Sequence, residues 1–154
     1  MEEVSGVRGC RERALRLLGK RAYSCNELYR KLTDKGETQE AAAATIAWLL
    51  ERQFLDDEQY AAAIVRRCAA KGYGASRAKN ELYRKGIDRE LWDEALEELP
   101  DSSDTVYRLL CSKLGSDEPD RAELKRATDA LFRRGYSWDE IRIALERYSD
   151  RIEN

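Results

Sequence analysis

Histidine is absent from these 154 residues. With it go the commonest side-chain base at neutral pH and every Ser-His-Asp or Cys-His nucleophile arrangement. Proline occurs only as Pro100 and Pro119 and glycine nine times, in a chain rich in Ala, Leu, Arg and Glu. That usage belongs to helices rather than sheets. The four cysteines, Cys10, Cys25, Cys68 and Cys111, form no Cys-x-x-Cys pair. A zinc site would lack its usual ligand set, and buried free thiols are the expectation. Long apolar runs are missing too: the uncharged stretch Ala41 to Leu50 lies between Glu40 and Glu51, far short of the roughly 20 residues that cross a bilayer. Met1-Glu2-Glu3 lacks the basic stretch and apolar core of an export signal. These absences point to a cytoplasmic all-α protein with no membrane contact, metal or cofactor, and enzymatic activity is not expected.

The formal net charge of −2 argues against a general nucleic-acid binder, but the charge is segregated. Arg8 to Lys35 carries +6 and Gly36 to Ala63 carries −5; Ile64 to Leu91 carries +5, Trp92 to Asp120 carries −7, and the remainder is nearly balanced. Such blocks say more about partners than the total does.

The hexapeptide Asn-Glu-Leu-Tyr-Arg-Lys occurs at 26–31 and again at 80–85, so an internal repeat comes before any fold. The identity itself is spaced by 54 residues. A spacing of 50 pairs Tyr23 with Tyr73, Leu28 with Ala78, Leu32 with Leu82, Lys35 with Lys85 and Gly36 with Gly86 without a gap. It matches the turns at both ends of the helix and is the better register. Tyr136, Ile141 and Leu145 repeat the spacing of Tyr23, Leu28 and Leu32. Ser24-x-x-Glu27 and Ser137-x-x-Glu140 read as capping boxes, each led by a tyrosine placed to staple onto Leu28 or Ile141. The middle copy has Gly74 in place of serine and Ala78 at the staple position, which predicts an opening turn that is looser or differently packed.

Apolar spacing and stop signals predict helices near 8–20, 24–35, 38–53, 57–71, 75–85, 88–99, 102–115, 119–134 and 137–149. Gly36, Gly86 and Gly115 fit C-terminal caps, Asp56 and Asp88 fit N-caps, and Pro119 suits a first turn. The expected architecture is an elongated, curved array of three tandem three-helix repeats, at 8–55, 56–100 and 101–150, with tails at 1–7 and 151–154. Units this small bury their apolar stripes by stacking on neighbours. The third triplet is not a clean copy, because its Tyr136 helix comes last whereas Tyr23 and Tyr73 precede second helices.

Ala14-Leu15-x-x-Leu18 before Arg21-Ala22-Tyr23-Ser24, Leu55-Asp56-Asp57-Glu58-x-Tyr60-Ala61, Lys71-Gly72-Tyr73-Gly74, Lys85-Gly86-Ile87 and Arg133-Arg134-Gly135-Tyr136-Ser137 together resemble the RecX family. The likeness runs from about Arg11 to Arg147. It implies three tandem three-helix repeats in a bacterial cytosolic protein that binds the RecA filament and tunes or inhibits its ATPase and strand exchange.

Several features have plainer explanations than chemistry. Asp56-Asp57 suggests paired carboxylates, yet acids at a helix start accept backbone N–H bonds and meet the positive end of the helix dipole. Gly72-Tyr73-Gly74 lacks the spacing and preceding strand of a phosphate-binding loop and reads as a turn. Trp48, in an apolar run with Ile46, Leu49 and Leu50, is expected in the core, and Trp138 lies beside a cap. Basic side chains usually form a solvated face. If the repeat leucines face inward, the outward positions are Glu27, Asp34, Arg77, Arg84, Glu140 and Arg147, and the middle copy is the most basic. Arg66, Arg67, Lys71, Arg77, Lys79, Arg84, Lys85 and Arg147 are therefore the candidate patch for an acidic recombinase surface or for single- or double-stranded DNA. A monomer is expected. Direct DNA binding by a helical-repeat protein is the competing reading, and a scaffold for some other acidic or helical partner is a third.

Overall fold

The three- and four-residue apolar spacing becomes nine α-helices in the computed structural model, which describes residues 2–115 and 118–153. They are α1 (Glu2–Leu18), α2 (Cys25–Asp34), α3 (Gln39–Glu51), α4 (Asp57–Ala70), α5 (Ala75–Arg84), α6 (Trp92–Leu96), α7 (Ser103–Lys113), α8 (Arg121–Arg133) and α9 (Trp138–Glu153), with a 3-10 turn at Arg89–Leu91 ahead of α6. No strand occurs among the described residues.

The chain divides into two compact units. One comprises the residues up to Ala63 together with Leu82–Ala95, and the other comprises Ile64–Glu81 and the residues from Leu96 onward. In the first, α1, α2 and α3 pack on one another around Cys10, Ala14, Tyr23, Leu28, Leu32, Ala42, Leu49 and Leu55. In the second, α7, α8 and α9 do the same around Val106, Leu110, Leu131, Tyr136, Ile141 and Ala144. The residues of the middle triplet are shared between the two units.

One joint accounts for that sharing, and it occurs in both units. The first amides of a helix have no partner within it. At the start of α5, Gly74 N–H donates to the Arg134 carbonyl at 2.8 Å and Ser76 N–H to the Gly135 carbonyl at 3.1 Å, so the carbonyl end of α8 caps it. Tyr136 Oη donates to the Gly72 carbonyl at 2.6 Å, and an Arg134 guanidinium nitrogen donates to the Lys71 carbonyl at 3.1 Å. In the first unit the turn that ends α5 meets the start of α2. Ser24 Oγ bonds the Lys85 carbonyl, and Asn26 Nδ2 donates to the Gly86 carbonyl at 2.6 Å.

The glycine substitution in the middle copy follows from this joint. The Gly135 carbonyl oxygen lies only 2.6 Å from where a Cβ on Gly74 would stand, so no serine fits. The opening turn of α5 is thus differently packed, and it is tight rather than loose. Ala78 remains fully buried at the staple position. Both capping boxes form: Glu27 N–H and Ser24 Oγ are 3.0 Å apart, as are Ser24 N–H and Glu27 Oε1, and Ser137 with Glu140 repeats the pattern at 3.2 and 2.9 Å.

Several boundaries differ from the sequence reading. α1 begins at Glu2 rather than 8. Pro119 precedes α8, whose N-cap is Asp120, accepting from Glu123 N–H at 2.8 Å. Gly115 follows an extended Leu114 cap (φ −95°, ψ 110°) and is absent from the left-handed glycines, which are Gly36, Gly72, Gly86 and Gly135. Asp56 caps its own helix through Gln59 N–H at 3.1 Å, whereas Asp88 makes no cap bond and meets Asn26 Nδ2 at 3.5 Å. The expected helix 88–99 is a 3-10 turn followed by the five residues of α6; the Trp92 indole N–H donates to the Ile87 carbonyl at 2.9 Å and ties the segment back onto the preceding turn.

Gly135 combines a φ of +98° with a would-be Cβ 2.4 Å from the Arg77 amide nitrogen. Gly135→Ala must therefore strain its own backbone and displace the start of α5, at a cost of about 2–4 kcal/mol. Urea denaturation should show that loss, while Gly36→Ala, at φ +102° but with open space around it, should lose less.

Candidate binding site

Apolar periodicity decides which basic residues of the middle segment reach solvent. Ile64, Val65 and Cys68 on α4 are buried, which leaves Arg66 and Arg67 exposed, with Lys71 exposed just beyond the helix end. On α5 the buried Ala78 is followed by an exposed Lys79. Arg67, Lys71 and Arg77 all act on the buried Cys68 thiol. Burial raises its pKa and Glu81 adds to the rise, while these three cations oppose it. The second unit thus brings Arg67, Lys71 and Arg77 around one thiol, at the end of α4 and the first turn of α5.

The other expected members are placed differently. Arg84 and Lys85 belong to the first unit, and Lys85 is half-buried. Arg66 pairs with Glu98 at 3.3 Å, with both side chains well exposed, an interaction worth about 0–1 kcal/mol. Arg147, on α9, pairs with Asp104 at 2.9 Å and lies over the Tyr107 ring at 3.9 Å.

Arg77 needs a correction of role. Its position matches Glu27 and Glu140, where a carboxylate accepts the backbone N–H of the cap residue. A guanidinium cannot accept, and the corresponding amide, Gly74 N–H, goes to Arg134 instead. Arg77 is half-buried, stacks on Tyr73 at 4.3 Å and donates to the Arg133 carbonyl at 3.4 Å. It belongs to the joint between α5 and α8, not to a free outer face. Glu27 and Glu140, also expected outside, are half-buried in their capping boxes.

Of the tryptophans, Trp138 lies beside the Ser137 capping box as expected, and Trp48 is only partly in the core. Trp48 is half-buried, with one side packed against the core of the first unit, and is flanked by Arg11 at 4.7 Å and Arg52 at 4.5 Å from its ring centre. Trp138 is 53% exposed and stacks on the exposed Phe132, with centroids 6.2 Å apart and planes 11° apart. A second basic cluster lines an open groove at the ends of α1 and α2, with Arg13, Arg16, Lys20 and Lys35 in its wall. The +6 block Arg8 to Lys35 carried that signal, but repeat geometry drew attention to the middle copy.

The cysteines are free thiols, with Cys10 and Cys68 buried. No group of three or more potential metal ligands occurs among the described residues, and no described helix is long and apolar enough to cross a membrane. Asp57 accepts from the Cys25 backbone N–H at 3.0 Å, so this acid serves the start of α2 rather than its own helix. Burial first, then the nearby Asp57 carboxylate, pushes the Cys25 thiol up to about 12. A thiol held protonated in this way is a poor nucleophile.

Residues 10–49 match the family described as RecX, first three-helix domain, and residues 56–96 match RecX, second three-helix domain. The chain is 36% identical over 135 residues to a regulatory protein RecX of Xanthomonas campestris pv. campestris (strain B100), covering 86% of this chain and 83% of that protein. It is 38% identical over the same length to the regulatory protein RecX of Stenotrophomonas maltophilia (strain R551-3), with equal coverage. The crystal structure of RecX from Lactobacillus salivarius superposes with a TM-score of 0.86 over 95% of this chain and 98% of that one, at 20% identity, so the fold is shared.

Two outcomes follow from these placements. Arg77→Ala should lose about 1–2 kcal/mol in urea denaturation through its ring contact and carbonyl bond, whereas Lys79→Ala should stay within about 0.5 kcal/mol; equal effects would return Arg77 to the solvated face. Peptide-resolved alkylation of the native protein at mildly alkaline pH should leave Cys25 unmodified, and Asp57→Asn should speed its labelling by removing a charge that opposes the thiolate.

Proposed function

The chain belongs to the RecX family, and we propose that it regulates the RecA recombinase by binding the RecA nucleoprotein filament and inhibiting its ATPase and strand exchange, with no chemistry of its own. The observation that carries this reading is the relationship to regulatory proteins over 86% of the chain. The exposed Arg67, Lys71 and Lys79 support it, since positive charge at the rim of a binding face steers and orients an acidic partner. The protein acts as a monomer in the cytoplasm on this reading. Direct binding to DNA is the second reading, favoured by the groove of cations at the ends of α1 and α2.

The test is the ATPase rate of RecA on single-stranded DNA as this protein is titrated in below one copy per recombinase subunit. A strong fall at such ratios is expected, and reversing Arg67 and Lys79 (Arg67→Glu with Lys79→Glu) should weaken it without lowering stability. No change in rate with a folded protein and an assembled filament would break the reading.

A further inference from the structure

The starts of α2 and α5 are met in the same register by the end of another helix. Ser24 Oγ bonds the Lys85 carbonyl and Asn26 Nδ2 donates to the Gly86 carbonyl. At the matching positions of the middle copy, Gly74 N–H donates to the Arg134 carbonyl and Ser76 N–H to the Gly135 carbonyl. Each time the first and third residues of the opening turn take the two carbonyls of a basic residue and a left-handed glycine.

α9 opens on the third copy of this motif, with Ser137 and Asp139 at the positions of Ser24 and Asn26. Among the described residues no other helix end bonds to them. Ser137 is exposed, and its amide and side chain serve its own capping box. The Asp139 side chain is 82% exposed and faces Arg142 at 3.8 Å. Between them Trp138 stacks on Phe132, and both rings are about half exposed to solvent. A face that closes a repeat array is ordinarily polar, and this one carries two large rings.

The end of α2 shows the converse. The left-handed glycines each follow a basic residue, in the turns at 35–36, 71–72, 85–86 and 134–135. The last two complete α5 and α2 as above, and the Lys71 and Gly72 carbonyls are taken by Arg134 and Tyr136. At Lys35 and Gly36 the space is open: nothing stands within 4 Å of a would-be Cβ on Gly36, and no donor among the described residues meets its carbonyl. The Lys35 carbonyl takes one bond, from Arg13 at 2.9 Å, and a carbonyl can accept two. In the repeat register these two residues match Lys85 and Gly86, the pair that completes α2.

We propose that the start of α9 seats the Lys35-Gly36 turn of a second copy of this chain, so that the joint made twice within the chain recurs between molecules. The Ser137 hydroxyl is placed as the Ser24 hydroxyl is, and the Asp139 amide, like that of Ser76, has no acceptor in its own helix. Charge agrees, since the exposed Lys35 side chain approaches the Asp139 carboxylate. Phe132 and Trp138 supply apolar area for the contact to cover. Two different surfaces meet, so the contact does not close as a symmetric pair does and continues from copy to copy. It is small, which leaves the protein monomeric in dilute solution and favours assembly where copies are held side by side.

The contact does not depend on the filament reading, and its test contains no recombinase. In sedimentation equilibrium up to about 1 mM, the weak end of the affinity scale, the mass of the unaltered protein should rise from that of a monomer past that of a dimer. Gly36→Asn keeps a residue that tolerates left-handed backbone but adds a side chain where the matching joint is crowded, a Cβ on Gly86 standing 3.0 Å from that of Asn26. Trp138→Ala with Asp139→Lys removes a ring and opposes Lys35. Each variant alone should stay monomeric with native helix content by circular dichroism. An equimolar mixture of the two should reach the mass of a dimer and go no higher, because one competent pairing remains. Four results would overturn the proposal: an unaltered protein that stays monomeric throughout, a mass that stops at the dimer as two aromatic faces pairing with each other would give, association of either variant alone as strong as that of the unaltered protein, or a mixture that stays monomeric.

Discussion

The amides of Gly74 and Ser76 have no acceptor within their own helix, and the structure around them is organised by where they find one. The carbonyls of Arg134 and Gly135 supply it. Each such bond contributes only about 0.5–1.5 kcal/mol net, but leaving a donor as buried as that of Gly74 unmet costs about 1–3 kcal/mol. The geometry that brings these groups together requires backbone to touch backbone. This explains two glycines at once: Gly74, which has no room for a Cβ, and Gly135, whose left-handed turn presents the carbonyl. Tyr136 then closes the joint from the side by donating to the Gly72 carbonyl. The equivalent joint in the first unit, between Ser24 and Asn26 and the Lys85-Gly86 turn, has looser backbone contact and uses side chains in place of amides. That is why serine survives there.

Much of this was legible in the sequence, and the reasons for success and failure differ. The helical class, the 50-residue register and both capping boxes rest on local chemistry: a serine followed three residues later by glutamate satisfies amides that are its own neighbours. The buried face was readable for the same reason, and Leu28, Leu32, Ala78, Leu82 and Ile141 are fully buried. Arg77 was misread because the outward-facing argument treats a helix as isolated. Its position is exposed on a lone helix but lies against the end of α8, 56 residues away in sequence. Trp48 packs against the core but is only half-buried, since apolar neighbours in sequence say nothing of the two arginines that flank its ring. Asp57 shows a third kind of error: an acid at a helix start was correctly read as a cap, but the amide it serves belongs to α2.

The charge pattern carried information that repeat geometry obscured. The two positive blocks of the sequence correspond to different arrangements: a groove at the ends of α1 and α2, and an exposed group at the end of α4 and the start of α5. Exposure alone does not separate free cations from engaged ones. Arg147 is half exposed yet paired with Asp104 and stacked on Tyr107, whereas Arg67 and Lys79 lie open. Family membership names a regulator, and the free cations are the surface on which such a protein has electrostatic choice.

The reciprocal joints also set an order in time as the chain leaves the ribosome. The start of α2 is completed by Lys85 and Gly86, some sixty residues downstream, and every residue of the first unit has been made by Ala95. The start of α5 is synthesised before that point, but its acceptors arrive only with Arg134 and Gly135. Nascent chains generally fold as units once the residues of a unit are available. The end of α5 can therefore settle while its beginning still waits, and a single short helix spends part of its synthesis with one terminus native and the other open to water.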